Sequence, residues 1–336
     1  MARCLFGFWA WYMSESYFIT GAQGCIGAWV VKALVARGGT PVVFDRSNDA
    51  RRLTAIMTPD EMEQVKFLVG DITDPRAVLQ ALEQSRAARI IHLAGLQVPA
   101  CKADPIAGAT VNVVGTLNVF EAARKIGLSG LVYASSAAVL GPADTLDPVD
   151  ESAPCEPTTH YGVFKRANEG SARVYHLDFG ISSVGLRPLT VYGVGRDTGL
   201  TSDPTRAIKA ALLGRKFHIR FSGSTDFLYV ADAATAFIAC ADRALEGAHL
   251  FNLHGEVVDV GEIVRLIDCG LPPQSRGLLS FGGPAIPVAP SMNDRAIRAL
   301  IGHLSQTSLQ DGINDTIRRF SSLHDQGRLD ISDLEQ

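Results

Sequence analysis

The stretch "SYFITGAQGCIGAWVVKALVARGG", residues 16–39, decides how the chain is read. "SYFIT" is β-branched and aromatic, the composition of a short buried strand. "GAWVVKALVARGG" is apolar at helical spacing and is closed by glycines, as a helix is. Between them stands "GAQGCIG", with Gly21, Gly24 and Gly27. A glycine pattern means little alone and could be a plain strand-to-helix turn. Here it follows a strand and opens a helix, the context in which glycines let a pyrophosphate approach the backbone. The helix N-terminus then offers free amides and a positive dipole end to that anion.

Outward from this unit the pattern repeats. "PVVFD" (41–45), "KFLVGDI" (66–72), "RIIHLAG" (89–95) and "GLVYASS" (130–136) are short apolar runs separated by helical stretches, one of them long and near 106–126. Strands alternating with helices predict an α/β fold with a doubly wound parallel sheet, whose ligand lies at the carboxyl ends of the strands. After residue 185 the pattern loosens. "SVGLRPLTVYG" (183–193) reads as one more strand, then a Gly/Asp/Pro-rich loop and a helix near 204–214. The segment 217–240 reads as two strands and a helix capped near Asp232, and 250–267 as a strand and a helix. Residues 271–290 read as a surface loop and 308–324 as a last helix. The expected organisation is a dinucleotide-binding domain over 13–185 and a smaller substrate lobe over 186–330. Strand 182–192 and parts of 225–254 return to the first domain.

Bulk properties narrow the function. A net charge of −4 with no Lys/Arg-rich run argues against nucleic acid as a partner. The six cysteines are scattered without a Cys-x-x-Cys, and the eight histidines do not cluster, so neither a metal site nor a disulfide framework is expected. Reduced thiols in the cytoplasm are the simplest reading. The apolar run Cys4–Met13 is about half the roughly 20 residues a membrane span needs. Residues 1–12 read as an extension outside a fold that could begin at Met13; the alternative is a membrane or partner anchor.

Further residues fall where a dinucleotide would need them. Asp45 ends the second strand eighteen positions after Gly27, where a carboxylate accepts from ribose hydroxyls and repels an extra phosphate; NAD is expected over NADP, with Arg46 softening the preference. Around the turn Gln23, Cys25 and Ile26 accompany the three glycines. Asp71 and Ile72 end the third strand beside an adenine. Leu93, Ala94, Gly95 and Gln97 form a strand end that the cofactor approaches closely. Ser135 and Ser136 end another strand, and twenty-five positions after Ser136 comes Tyr161, in "HYGVFK" (160–165). Tyr161 and Lys165, four apart, share a helix face. A phenol titrates near 10; a nearby ammonium such as Lys165 and the positive nicotinamide ring would together favour the phenolate, so Tyr161 would take an alcohol proton, a serine would hold the oxygen, and Lys165 would tune Tyr161.

With these motifs in order, the chain resembles the extended short-chain dehydrogenase/reductase superfamily, in its NAD-dependent epimerase/dehydratase branch, from about Ser16 to about 320. The resemblance implies a Rossmann domain, the cofactor NAD and a catalytic set of Ser136, Tyr161 and Lys165. It also implies that Lys165 binds the nicotinamide ribose, that Asn112 and Leu189 lie beside the cofactor, and that a homodimer forms through helices near 106–126 and 161–178. Departures shape the substrate. Ala137 and Ala138 stand where dehydratases carry an Asp-Glu pair, so dehydration is rejected. Thr190 and Thr225 stand where sugar-nucleotide epimerases commonly have Asn and Arg. Arg196, Arg206, Arg215 or Arg220 could replace these anchors. The expected function is NAD-dependent oxidation of a secondary alcohol in a sugar or sugar-acid-like molecule, contacted by Ser136, Thr190 and Arg196. The alternative is a UDP-glucose-4-epimerase-like enzyme with tightly bound NAD. Loops 96–105, 193–206 and 270–290 would line the substrate end.

Overall fold

The computed structural model of the chain describes residues 16–143, 145–243 and 245–335. The expected extension 1–12 and the boundary at Met13 lie outside them. Seven strands form one parallel sheet: β1 (Ser16–Thr20), β2 (Thr40–Asp45), β3 (Lys66–Val69), β4 (Arg89–His92), β5 (Gly130–Ala134), β6 (Ser182–Arg187) and, late in the chain, the strand Ala248–Asn252. Their order runs from that last strand through β6, β5, β4, β1 and β2 to β3. The chain starts in the middle and winds outward both ways, so the switch point lies between β1 and β4.

Both faces of the sheet are covered because successive side chains alternate. Tyr17, Ile19, Val43, Ile91, Val132 and Val184 point to one face and meet the helices Cys25–Ala36 and Val230–Arg243. Phe18, Val42, Phe44, Ile90, Leu131 and Tyr133 point to the other and meet Pro75–Ser85, Gly115–Ile126 and His160–Phe179. The first core continues into the C-terminal lobe through Phe227, Ile263, Ile313 and Phe320. That lobe holds β7 (Thr190–Tyr192), β8 (Phe217–Ile219), β9 (Ser224–Tyr229), β11 (Glu256–Asp259) and β12 (Leu279–Phe281), the earlier Ala248–Asn252 being β10. They pair as β11-β9-β7 and β12-β8.

Several elements differ in detail from expectation. The run 183–193 is two strands: Pro188 has no N–H to give a ladder, so β6 stays in the large sheet and β7 leaves it for β9. The helix expected to cap near Asp232 starts at Val230, and Asp232 instead accepts from the Thr307 N–H and hydroxyl (2.6 and 3.0 Å). The segment 250–267 contains the end of β10, then β11, then a helix, and the loop 271–290 contains β12. The long helix runs from Pro105 to Ile126 with a wide π turn at Thr110–Val114. By length and composition it could cross a membrane, but here it is a layer of the fold, with Asn112 and Thr116 buried beneath it.

Candidate functional site

At the carboxyl ends of β1, β2, β4 and β5 lies a cavity of about 650 Å³. The glycine turn forms its floor. Gly21 has φ +66°, a left-handed backbone, and a Cβ there would meet Ala94 N at 2.5 Å. A Cβ on Gly27 would strike Ala22 Cα at 2.6 Å, so the helix sits directly on the turn. The N-cap of that helix is Gly24, with no side chain capping it, which leaves its first amides open to an anion. The Asp45 carboxylate accepts from Gln23 N–H (3.1 Å) and Arg46 N–H (2.8 Å), fixing it at the lip of the cavity. Asp71 accepts from the Thr73 N–H and hydroxyl, both at 2.8 Å, and these bonds hold its carboxyl below the usual range. A backbone cradle ending in a fixed carboxylate fits a dinucleotide.

Replacing Gly21 by Ala tests that fit. The left-handed backbone alone costs roughly 1–2 kcal/mol, and the methyl pushes β4's end out of the cradle. The expected result is dinucleotide affinity at least about tenfold weaker by calorimetry; unchanged affinity would rule out this turn as the phosphate cradle.

Three elements bring Ser136, Tyr161 and Lys165 together at this cavity. Ser136 begins the short turn Ala137–Val139, and its oxygen accepts from Ala138 N–H (3.1 Å). Ala137 N–H donates to Pro188 O (3.0 Å), tying this turn to the end of β6. Tyr161 lies in the first turn of His160–Phe179, which Thr159 caps by accepting from Gly162 N–H. Gly162 is pressed on the main-chain carbonyl of Ala138; a Cβ there would overlap it and would meet Pro157 Cβ at 2.8 Å. Only a glycine lets the helix carrying Tyr161 come this close to Ser136. One turn on, buried Lys165 donates to Ala134 O (2.7 Å), with its ammonium 5.5 Å from the centre of the Tyr161 ring.

The electrostatics of the protein alone leave part of the expected shift to the cofactor's positive ring. Burial pushes the Tyr161 phenol up, and the Ser136 hydroxyl and the Arg196 guanidinium only partly pull it back. Lys165 stands over the ring face, and burial lowers it to about 8. The chain alone therefore holds a phenol, not a phenolate, and a further positive charge is needed to release its proton.

Two expected contact residues do not reach the cavity. Asn112 is fully buried and clamps the Leu96 main chain, accepting from its N–H (2.7 Å) and donating to its carbonyl (3.0 Å). Thr190 is fully buried behind a wall of Pro188, Leu189 and Val191, and its hydroxyl meets that of Thr225 at 3.0 Å. The other expected cofactor and substrate residues, Leu189 and Arg196 among them, line the cavity, together with Leu96–Ala100, Thr198–Thr201, Ile286 and Val288 from the three expected loops; of the four arginines offered as anchors, Arg206 and Arg220 pair with Asp203 and, like Arg215, do not line it. Ser135 lines it too, but its hydroxyl donates to Glu169 (2.6 Å), whereas Ser136 carries no such carboxylate partner among the described residues.

Supporting groups escaped the sequence reading. Glu169 makes a buried two-point ion pair with Arg187 (2.7 and 2.8 Å). His92 joins the Thr20 and Thr116 hydroxyls (2.6 and 2.9 Å), and burial holds its ring neutral, near 3. Asn168 donates to Thr116 and to Asn112 O. The positions 161, 165, 168, 169 and 172 share one helix face, a periodic signal that was present in the sequence. Arg52 grips Asp197 at 2.9 and 2.7 Å and donates to Gln23 O at 3.0 Å, drawing the 193–202 loop over the glycine turn. Nothing in the sequence marked that pair.

Residues 17–261 match the sequence profile described as the NAD dependent epimerase/dehydratase family. A UDP-glucose 4-epimerase of Rhizobium meliloti (strain 1021) is 30% identical over 278 residues, 76% of this chain and 81% of that protein. The crystal structure of Thermus thermophilus UDP-glucose 4-epimerase with NAD aligns at a TM-score of 0.78 and 24% identity, covering 91% of this chain and 99% of that one. A partial consensus L-threonine 3-dehydrogenase aligns at 0.80 and 23% identity, covering 92% and 100%.

Proposed function

Because the chain belongs to the NAD dependent epimerase/dehydratase family, an NAD-dependent group of enzymes, we propose that it oxidises a secondary alcohol of a small carbohydrate-like substrate, with Ser136, Tyr161 and Lys165 handling the proton. The observation that carries this reading is the convergence of those three side chains on one cavity beside the glycine turn. NAD, when bound, supplies the hydride acceptor and a positive charge. The chain's part is protonic. Ser136 Oγ holds the substrate oxygen by a hydrogen bond. Tyr161 Oη accepts the hydroxyl proton as the carbinol is oxidised. Lys165, charged below about 8, favours the phenolate from behind the ring. The residues that fit the cofactor are the open amides after Gly24, the Asp45 carboxylate for the ribose and Asp71 near the adenine.

The paired hydroxyls of Thr190 and Thr225 support a substrate smaller than a nucleotide sugar, since they satisfy each other where anchors for a diphosphate would be needed. A second reading, nucleotide-sugar epimerisation, is favoured by the named relative at 30% identity. Incubation of the purified chain with NAD and a panel of sugars, sugar acids and UDP-glucose decides between them. Accumulating absorbance at 340 nm supports net oxidation. A product epimer found by NMR without such accumulation supports epimerisation, and turnover of UDP-glucose alone would overturn the smaller substrate.

A homodimer also belongs to this proposal. Ile106, Val114, Val163, Val174 and Leu177 expose large apolar side chains on the helices 105–126 and 160–179, a face suited to a second copy. Sedimentation of the wild type as a dimer and of Leu177→Glu as a monomer is expected; a monomeric wild type would end the idea.

A further inference from the structure

The charges around the cavity are unevenly placed. The carboxylates that line it, Asp45, Asp49 and Asp71, all stand at the end of β2 and β3. No Asp or Glu among the described residues lines the end occupied by Ser136, Tyr161 and Arg196. Most cations at the cavity are already engaged. Arg51 pairs with Asp49 and Asp330 (3.0 and 3.3 Å), Arg52 pairs with Asp197, and Lys165 donates to Ala134 O.

Arg196 differs. Its guanidinium carries five donors. One of them, Nη2, reaches Thr201 Oγ1 at 3.0 Å, and Nε is buried with no acceptor among the described residues. The neighbouring carboxylate, Asp197, is turned away onto Arg52. Arg196 Nη2 and Gln97 Oε1 lie 3.0 and 3.3 Å from the point where a Cβ on Gly199 would stand, so the bare glycine leaves the fork and an amide side by side at the cavity wall. A partly buried guanidinium without a counter-ion is costly unless an anion completes it. The phosphates of a dinucleotide already have the open amides and dipole of the helix after Gly24.

We propose that Arg196 is the anion-recognition residue at the reacting end of the site, and that the substrate is a polyhydroxy carboxylate whose carboxylate pairs with this guanidinium. The proposal rests on the reading of the site given above and narrows its substrate class. Arg196 then determines specificity, holding the acid group while a hydroxyl of the same molecule lies between Ser136 and Tyr161. Gln97 and Thr201 complete the polar wall beside it.

Binding of tartrate to the NAD-loaded full chain, followed by calorimetry, tests this without requiring turnover. Wild type should bind it. Arg196→Gln should weaken it roughly 10- to 150-fold, the worth of a hydrogen bond to a charged group, and Arg196→Lys should retain part of it. NAD affinity should stay within about twofold in both variants. In a 340 nm screen, acids such as gluconate should be preferred over the matching neutral sugars. Failure of wild type to bind tartrate, equal binding by Arg196→Gln, or a preference for neutral sugars overturns the proposal. So does an equal loss of NAD affinity, which would assign the guanidinium to the cofactor's phosphates. Should Arg196 prove necessary for tartrate binding while no alcohol is oxidised, the anion site stands and the reaction proposed above fails.

Discussion

Replacing Tyr161 by Phe should lower kcat/KM by about 10²- to 10⁴-fold, the usual worth of a positioned general base. The loss falls on kcat because only the hydroxyl is removed. The ring remains over Lys165, and Lys165 keeps its bond to Ala134 O, so NAD affinity should change little. A pH profile adds a signature that a merely structural role would not give. Burial raises the Tyr161 phenol, so alcohol oxidation by wild type should climb with pH as the phenol is released. That limb should vanish in the variant. Comparable turnover by Tyr161→Phe on a substrate that wild type oxidises would remove Tyr161 from the mechanism.

The second large effect lies one layer behind the site. Glu169→Ala should cost about 3–5 kcal/mol of stability, the penalty for breaking a buried ion pair by removing one partner. Arg187 is 1% exposed and would be left charged at the end of β6 without its two-point acceptor. The Ser135 hydroxyl and Arg166 lose the same acceptor. The midpoint of urea unfolding measures the loss. Glu169→Leu with Arg187→Leu is the informative companion, since replacing both charges by apolar groups is often neutral. A single variant as stable as wild type would mean that Arg187 finds another partner.

The large sheet was legible because its signals are local. Each strand is a short apolar run ended by a turn, and the glycine pattern fixes which strand comes first. The grouping of Tyr161 with Lys165 at the cavity was legible for the same reason: they are one helical turn apart. What escaped depends on partners far away in the chain. Thr190 looked like a substrate contact because its neighbours are in a motif, yet Thr225, thirty-five positions on, takes its hydroxyl into the core. Asn112 was expected beside the cofactor; that its amide clamps the main chain of the loop after β4 was not legible from its own neighbours. The break at Pro188 was written in the sequence, since a proline interrupts a ladder, but the run around it is apolar enough to hide it. The direction of the Tyr161 shift needed burial, which spacing does not reveal.

The contact of Gly162 with the Ala138 carbonyl has a consequence for how variants report on the site. The stop between the two segments is made of main-chain atoms on one side and a missing side chain on the other. It acts as a gauge block whose thickness does not depend on what Ser136 or Tyr161 carries. Either side chain can be shortened while the frame that spaces them stays put, so lost rate in such variants measures chemistry and not displacement.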